Sequence, residues 1–166
     1  ITNEVLENKD FDYYKDIEEC LVKNKDNYVN VANYSQTLTD MNFKSTNATY
    51  LLMFLETCDN TDLNIVSLDF TLEHIYCQKD KEKLSNQSLM NNIGNLTLLE
   101  GKNSDNGHKG NSSLGSKTFD KKIESYKKSS SKITRNIVDN FKTFTEDTII
   151  TRNNQIIELL NKYTNY

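Results

Sequence analysis

The chain contains no proline and only 5 glycines in 166 residues. That scarcity excludes collagen-like, Pro-rich and Gly-rich linker architectures and leaves helices with few breakers, so a helix-rich fold is expected. Also missing is any run of about 18 apolar residues, which excludes a membrane-spanning helix; a mean hydropathy of -0.72 fits a soluble chain. Cysteines number 3, at Cys20, Cys58 and Cys77, with no C-x-x-C pair. An odd, scattered set argues against a disulfide framework and for a reducing compartment, with the cytoplasm as default. Neither an initiating methionine nor a basic-then-apolar leader opens the sequence, so it is expected to be a piece of a longer protein.

What is plentiful is asparagine, 23 of 166 residues. It generates Asn-x-Ser/Thr triplets at Asn33, Asn47, Asn86, Asn95 and Asn111. Chance pairing with so many Ser and Thr residues yields about as many, so they carry no argument for glycosylation. Charge is divided along the chain: residues 1–74 hold 14 acidic and 5 basic side chains, whereas residues 101–142 hold 10 basic and 4 acidic ones. A basic half can attract phosphate in a protein of acidic pI because attraction follows the local patch. A solvated lysine-rich helix face accounts for the same charges, so motifs must decide.

Helical periodicity runs through Val5, Leu6, Tyr13, Ile17 and Leu21, and again through Tyr50, Leu51, Phe54 and Leu55 after the capping-prone Ser45-Thr46-Asn47. The pattern then changes. Residues 65–72 are rich in β-formers, and Leu96-Thr97-Leu98-Leu99 follows Gly94 as a second short run, so two strands are expected. Beyond a Gly/Asn/Ser loop come helices near 118–128, 131–142 and 146–162, the last opened by a capping box, Thr143-Phe144-Thr145-Glu146. Ser129-Ser130-Ser131 reads as a connection.

The chemistry gathers where the strands meet. Glu73-His74-Ile75-Tyr76-Cys77-Gln78 closes the first strand, Gly94-Asn95-Leu96-Thr97-Leu98-Leu99 forms the second, and Asn103 follows. This resembles the HNH, or His-Me finger, nuclease pattern. With Phe119-Asp120-Lys121, Phe144, Ile149 and Arg152 added, the series over roughly 65–155 looks like the C-terminal nuclease domain of GmrSD-type, modification-dependent restriction enzymes. The resemblance implies an α+β, mostly helical fold with a ββα-metal hairpin embedded in helices. It also implies hydrolysis of DNA phosphodiesters with His74 as general base and Asn95 holding the imidazole.

A carboxylate and an amide oxygen are hard ligands that suit one Mg²⁺ or Mn²⁺, so Glu73 and Asn103 are the expected cation ligands. Strand alternation separates Glu73 from His74, leaving one for the cation and the other for the attacking water. Lys102, Lys117 and Lys121 are expected on DNA phosphate. Each residue also has an ordinary reading: His74 as a satisfied strand-end histidine, Glu73 as a solvated strand residue, Asn95 as the residue after a Gly turn, Asn103 as a helix cap. Arg152, at helical spacing from Ile149 and Ile156, reads better as packing than as a phosphate ligand. Structural zinc at His74-x-x-Cys77 is disfavoured, since the other histidine is His108 and the other cysteines lie far upstream.

The sequence departs from the family pattern in three places. Cys77 stands where relatives carry proline, and the loop between Gly101 and Phe119 is irregular, so Asn106, His108 or Asn111 are alternatives to Asn103. Phe144 replaces a frequent tryptophan. The expected organisation is a helical connector over 1–64 and a nuclease domain with C-terminal helices over 65–166. The resemblance further implies modified DNA as partner, a ParB/sulfiredoxin-like N-terminal domain in the parent chain, anti-phage defence as the setting, and no membrane. The rival reading is a catalytically inactive nucleic-acid-binding or interaction module of the same fold.

Overall fold

A computed structural model describes residues 45–59, 69–102 and 109–164. All of them belong to the unit Leu38–Tyr166. The helical stripe expected over residues 5–21, and Asn103, Asn106 and His108, lie outside the described residues. The elements are α1 (Ser45–Asp59), β1 (Phe70–His74), β2 (Leu96–Glu100), α2 (Asn111–Leu114), α3 (Phe119–Lys128), α4 (Lys132–Asn140) and α5 (Glu146–Thr164). The described residues are therefore α+β, mostly helical, with one small sheet. No described helix is long and apolar enough to cross a membrane.

The strands pair antiparallel, with Leu72 opposite Leu98 and His74 opposite Leu96. Their connection is no tight hairpin. It runs through three 3-10 turns, Gln78–Lys83, Gln87–Asn91 and Ile93–Asn95. Asn86 and Asn92 initiate the second and third by accepting from the N–H groups of Ser88 and Gly94, the local bonding that makes asparagine a turn residue. β2 is buried at four successive positions, which requires cover on both faces. Leu99 joins a cluster with Ile75, Met90, Phe119, Tyr126, Ile137, Phe144 and Ile149, and α1 packs along both strands.

Helix α5 buries Ile149, Arg152, Asn153, Ile156, Ile157 and Leu160, the i, i+3, i+4, i+7 stripe of an amphipathic helix. Phe144 enters the core against Phe119 at 5.4 Å and Phe141 at 5.9 Å between ring centroids, so it fills the aromatic position expected of it. The expected capping box is not formed. Glu146 directs its carboxylate across the fold to the N–H groups of Ser85 (2.7 Å) and Asn86 (3.2 Å). The Thr148 hydroxyl serves the helix start instead, accepting from Thr145 N–H and donating to Thr145 O.

The serine run is more than a connection. Ser131 caps α4 by accepting from Thr134 N–H, and two carboxylates converge on the same helix start. Buried Glu56 of α1 accepts from Ser131 Oγ (2.8 Å), Lys132 N–H (2.6 Å) and Ile133 N–H (3.0 Å). Glu100 accepts from Ser129 Oγ (2.9 Å) and Ser130 N–H (2.6 Å). Negative charge is favourable here because the first N–H groups of a helix have no partner within it. Glu56→Gln keeps the shape and loses the charge, so we expect a loss of about 1.5 kcal/mol, the difference between charged and neutral hydrogen bonds. Urea unfolding monitored by circular dichroism measures it.

Candidate active site

His74 is the last residue of β1, where the ladder ends and the chain turns. The turn is clamped by Asn95. Its carbonyl accepts from Ile75 N–H at 2.9 Å, its Oδ1 accepts from Tyr76 N–H at 2.7 Å, and its Nδ2 donates to Met90 O at 2.9 Å. Asn95 is fully buried, and with its amide spent this way it fixes the backbone beside His74. The side chain on the imidazole is Asn91, whose Oδ1 lies 3.1 Å from His74 Nε2. The amide in contact with the imidazole is thus Asn91, one 3-10 turn earlier, while Asn95, expected there, bonds the backbone. Gln78 Nε2 also approaches His74 Nε2, at 3.3 Å.

The two contacts ask different things of Nε2: the Asn91 oxygen, at the shorter distance, calls for an Nε2–H, and the Gln78 amide nitrogen calls for a lone pair. With the shorter contact made by an Nε2–H, the lone pair lies on Nδ1. Burial holds the imidazole below its ordinary pKa, outweighing the Asn91 hydrogen bond and the Glu73 charge that raise it, while Lys122 lowers it further. His74 is half-buried, and its lowered pKa favours the neutral imidazole.

Glu73, expected as a cation ligand, faces the other way. Strand alternation turns it toward α3, where its Oε1 lies 2.6 Å from Lys122 Nζ and accepts from the Tyr126 hydroxyl at 3.2 Å. The Glu73 side chain is 2% exposed and that of Lys122 is 0%. Burial, and after it the Glu73 charge, pushes the Tyr126 phenol well above its ordinary pKa, so it stays protonated and donates. Lys122 Nζ also donates to His74 O at 2.5 Å and to Ile75 O at 3.4 Å. Asn111, an alternative third ligand from the sequence, ties its amide nitrogen to β1: Nδ2 donates to Thr71 Oγ1 (3.0 Å) and Leu72 O (2.8 Å). Among the described residues no group of three His, Cys, Asp or Glu side chains gathers to hold a metal ion. The Glu73 carboxylate, 2% exposed and with Oε1 taken by an ammonium and a phenol, does not fit that task.

The three lysines expected on phosphate are all exposed, but they do not stand together. Lys117 follows Ser116, whose carbonyl accepts from Cys77 Sγ at 3.4 Å, so its backbone adjoins the chain three residues past His74. Lys121 neighbours Lys122 on α3 and makes only a 3.7 Å contact with exposed Asp120. Lys102 lies beyond Glu100, at the opposite end of the sheet from the His74–Leu96 pair. β2 itself runs roughly 13 Å from Leu96 to Glu100, and Lys102 follows a bend beyond that far end. Arg152 is buried, as its helical spacing suggested. Its Nη1 donates to the carbonyls of Ile93, Gly94 and Leu96 at 3.1, 2.9 and 2.7 Å. Burial lowers its pKa to about 10, which leaves it charged at neutral pH.

Sequence reasoning missed Asn91 and Lys122. No local signal marks Asn91, one of three asparagines between residues 91 and 95. Lys122 did carry one: it lies three residues after Phe119 and four before Tyr126, on the inward stripe of α3, where an unpaired lysine is not tolerated. Residues 28–159 match the family described as GmrSD restriction endonucleases, C-terminal domain. No curated protein matches the chain. The matched stretch contains both strands, the turns between them and α3, hence all the surroundings of His74. The chain belongs to the C-terminal domain family of the GmrSD restriction endonucleases.

Proposed function

We propose that this domain hydrolyses DNA phosphodiesters, with His74 accepting the proton of the attacking water through Nδ1. The supporting observation is a neutral, half-buried imidazole at a clamped strand end, its Nε2 engaged by Asn91, in a chain of a restriction endonuclease family. A base of this kind must be uncharged at working pH and held in one orientation. Asn91 supplies the orientation and burial supplies the charge state. Asn95 acts through the backbone of residues 75 and 76. On this reading Lys117 and Lys121 contact phosphates near the cut, and Lys102 a more distant part of the backbone. The HNH resemblance, cytoplasmic location, modified DNA and a ParB/sulfiredoxin-like partner domain belong to the same proposal, as does a requirement for one Mg²⁺ or Mn²⁺ held by ligands other than Glu73.

The test is conversion of supercoiled plasmid to nicked or linear product, with and without modified bases, in Mg²⁺, Mn²⁺ or chelator, by the parent protein and its His74→Ala variant. Cleavage by the wild type alone supports the reading, whereas DNA binding without cleavage under every condition supports the inactive module. A second measurement addresses the lysines. Each phosphate neutralised contributes about 0.9 to the slope of log affinity against log salt. Lys117→Ala with Lys121→Ala should therefore flatten that slope by about 2, read by fluorescence anisotropy across a salt series. An unchanged slope removes both from the DNA surface.

A further inference from the structure

We propose that Lys122 is a positioning residue of the cleavage site: its buried ammonium, held by Glu73, grips the His74 and Ile75 carbonyls and so fixes where the imidazole stands. The inference rests on the reading of His74 as general base. It begins from an energetic oddity. A lysine and a glutamate fully removed from water gain little stability over a well-packed apolar pair of the same size, yet this fold buries both directly behind its most reactive side chain.

An ammonium has three hydrogens in a fixed pyramid. Here they face Glu73 Oε1 at 2.6 Å, His74 O at 2.5 Å and Ile75 O at 3.4 Å. Two of the three directions are thus devoted to the main chain of the histidine and its successor. The third is locked because Tyr126 Oη, one helical turn along α3, donates to the same carboxylate oxygen at 3.2 Å. On the other side, Asn95 O accepts from Ile75 N–H at 2.9 Å. The peptide linking His74 to Ile75 is therefore held at its carbonyl by α3 and at its N–H by the turn before β2. With that peptide fixed, the Cα–Cβ direction of His74 is fixed, and Asn91 needs only to set the ring rotation. An apolar pair would pack the same space but would leave the strand-end carbonyls without this grip. A misplacement of the reacting group by about 1 Å costs on the order of 10²-fold in rate, and that sensitivity is what the buried pair protects.

The test compares wild-type parent protein with the paired variant Glu73→Gln/Lys122→Met, which removes both charges together and so leaves no lone buried ion. Tyr126→Phe is the milder second variant, since it deletes one hydroxyl. In the paired variant we expect a cooperative thermal transition, a fall in kcat of about 10²-fold and a KM within about twofold of wild type. The ¹H–¹³C cross-peaks of the His74 ring should be displaced. Tyr126→Phe should lower kcat about threefold to tenfold and displace the same cross-peaks in the same direction by less. A folded paired variant that keeps wild-type kcat overturns the inference. If the paired variant does not fold, unmoved kcat and unmoved His74 cross-peaks in Tyr126→Phe overturn it. Should His74→Ala prove as active as wild type, the general-base reading fails by itself. The ring cross-peaks then decide alone whether Lys122 positions His74.

Discussion

His74→Ala should lower the rate of DNA cleavage by about 10²–10⁴-fold, the range supplied by a positioned general base, while changing stability by no more than about 1 kcal/mol. The two halves of this expectation have separate causes. The rate falls because no other imidazole stands in the described surroundings: Asn91, Gln78 and Asn95 are amides without a basic lone pair at neutral pH. Stability is nearly kept because the clamp on the strand end uses main-chain atoms of residues 74–76 together with Asn95 and Lys122, all of which remain. The imidazole itself gives up only its contacts with Asn91 and exposed Gln78 in a half-buried place. Single-turnover cleavage measured beside a thermal melt distinguishes this outcome from simple unfolding. Asn91→Ala should lose less, since it frees the ring to rotate without removing the base. A His74→Ala protein that cuts at the wild-type rate would end the proposal that this imidazole activates water.

The second large effect is on folding. Gly94→Ala should destabilise the protein by about 3 kcal/mol or more, beyond the usual overpacking range, because backbone rather than side chain stands in the way. A Cβ at residue 94 would lie 2.1 Å from Ile149 O and 2.8 Å from Asn153 N. Both belong to the main chain of α5, so no rotamer change relieves the clash, and the helix must move off the 3-10 turn. Moving it also disturbs Arg152, whose Nη1 ties the Ile93, Gly94 and Leu96 carbonyls to the same helix. That bond set delivers Asn95 to the strand end, so the variant should lose activity with stability. Chemical unfolding of Gly94→Ala gives the number directly. A midpoint unchanged from wild type would mean that α5 is not seated on this turn.

Much of this was readable in one dimension. The two apolar runs gave β1 and β2 to within a few residues at the described ends, and helices were expected where α1, α3, α4 and α5 stand. The stripe Tyr50, Leu51, Phe54, Leu55 marked α1 as a helix but not its inner face, which is Ala48, Leu52, Leu55 and Glu56, with Tyr50 59% exposed. The stripe through Ile149 and Ile156 already placed Arg152 inward. The order Glu73-His74, then Gly94-Asn95-Leu96-Thr97-Leu98-Leu99, carried the family. What sequence order does not encode is which polar groups meet across the fold. Alternation said that Glu73 and His74 part company, but only packing of α3 decided that the carboxylate meets Lys122 and Tyr126 rather than solvent. Likewise the choice of Asn91 over Asn95 as the partner of the imidazole depended on how three successive 3-10 turns bring residues 91 and 95 back to the strand end. Glu56 and Glu100 at the start of α4 are a third case, joined across 75 and 30 residues of sequence. Local periodicity fixes elements because it concerns neighbours a few residues apart. The partners of buried charges and amides are chosen by desolvation, which acts only once distant segments have closed over them.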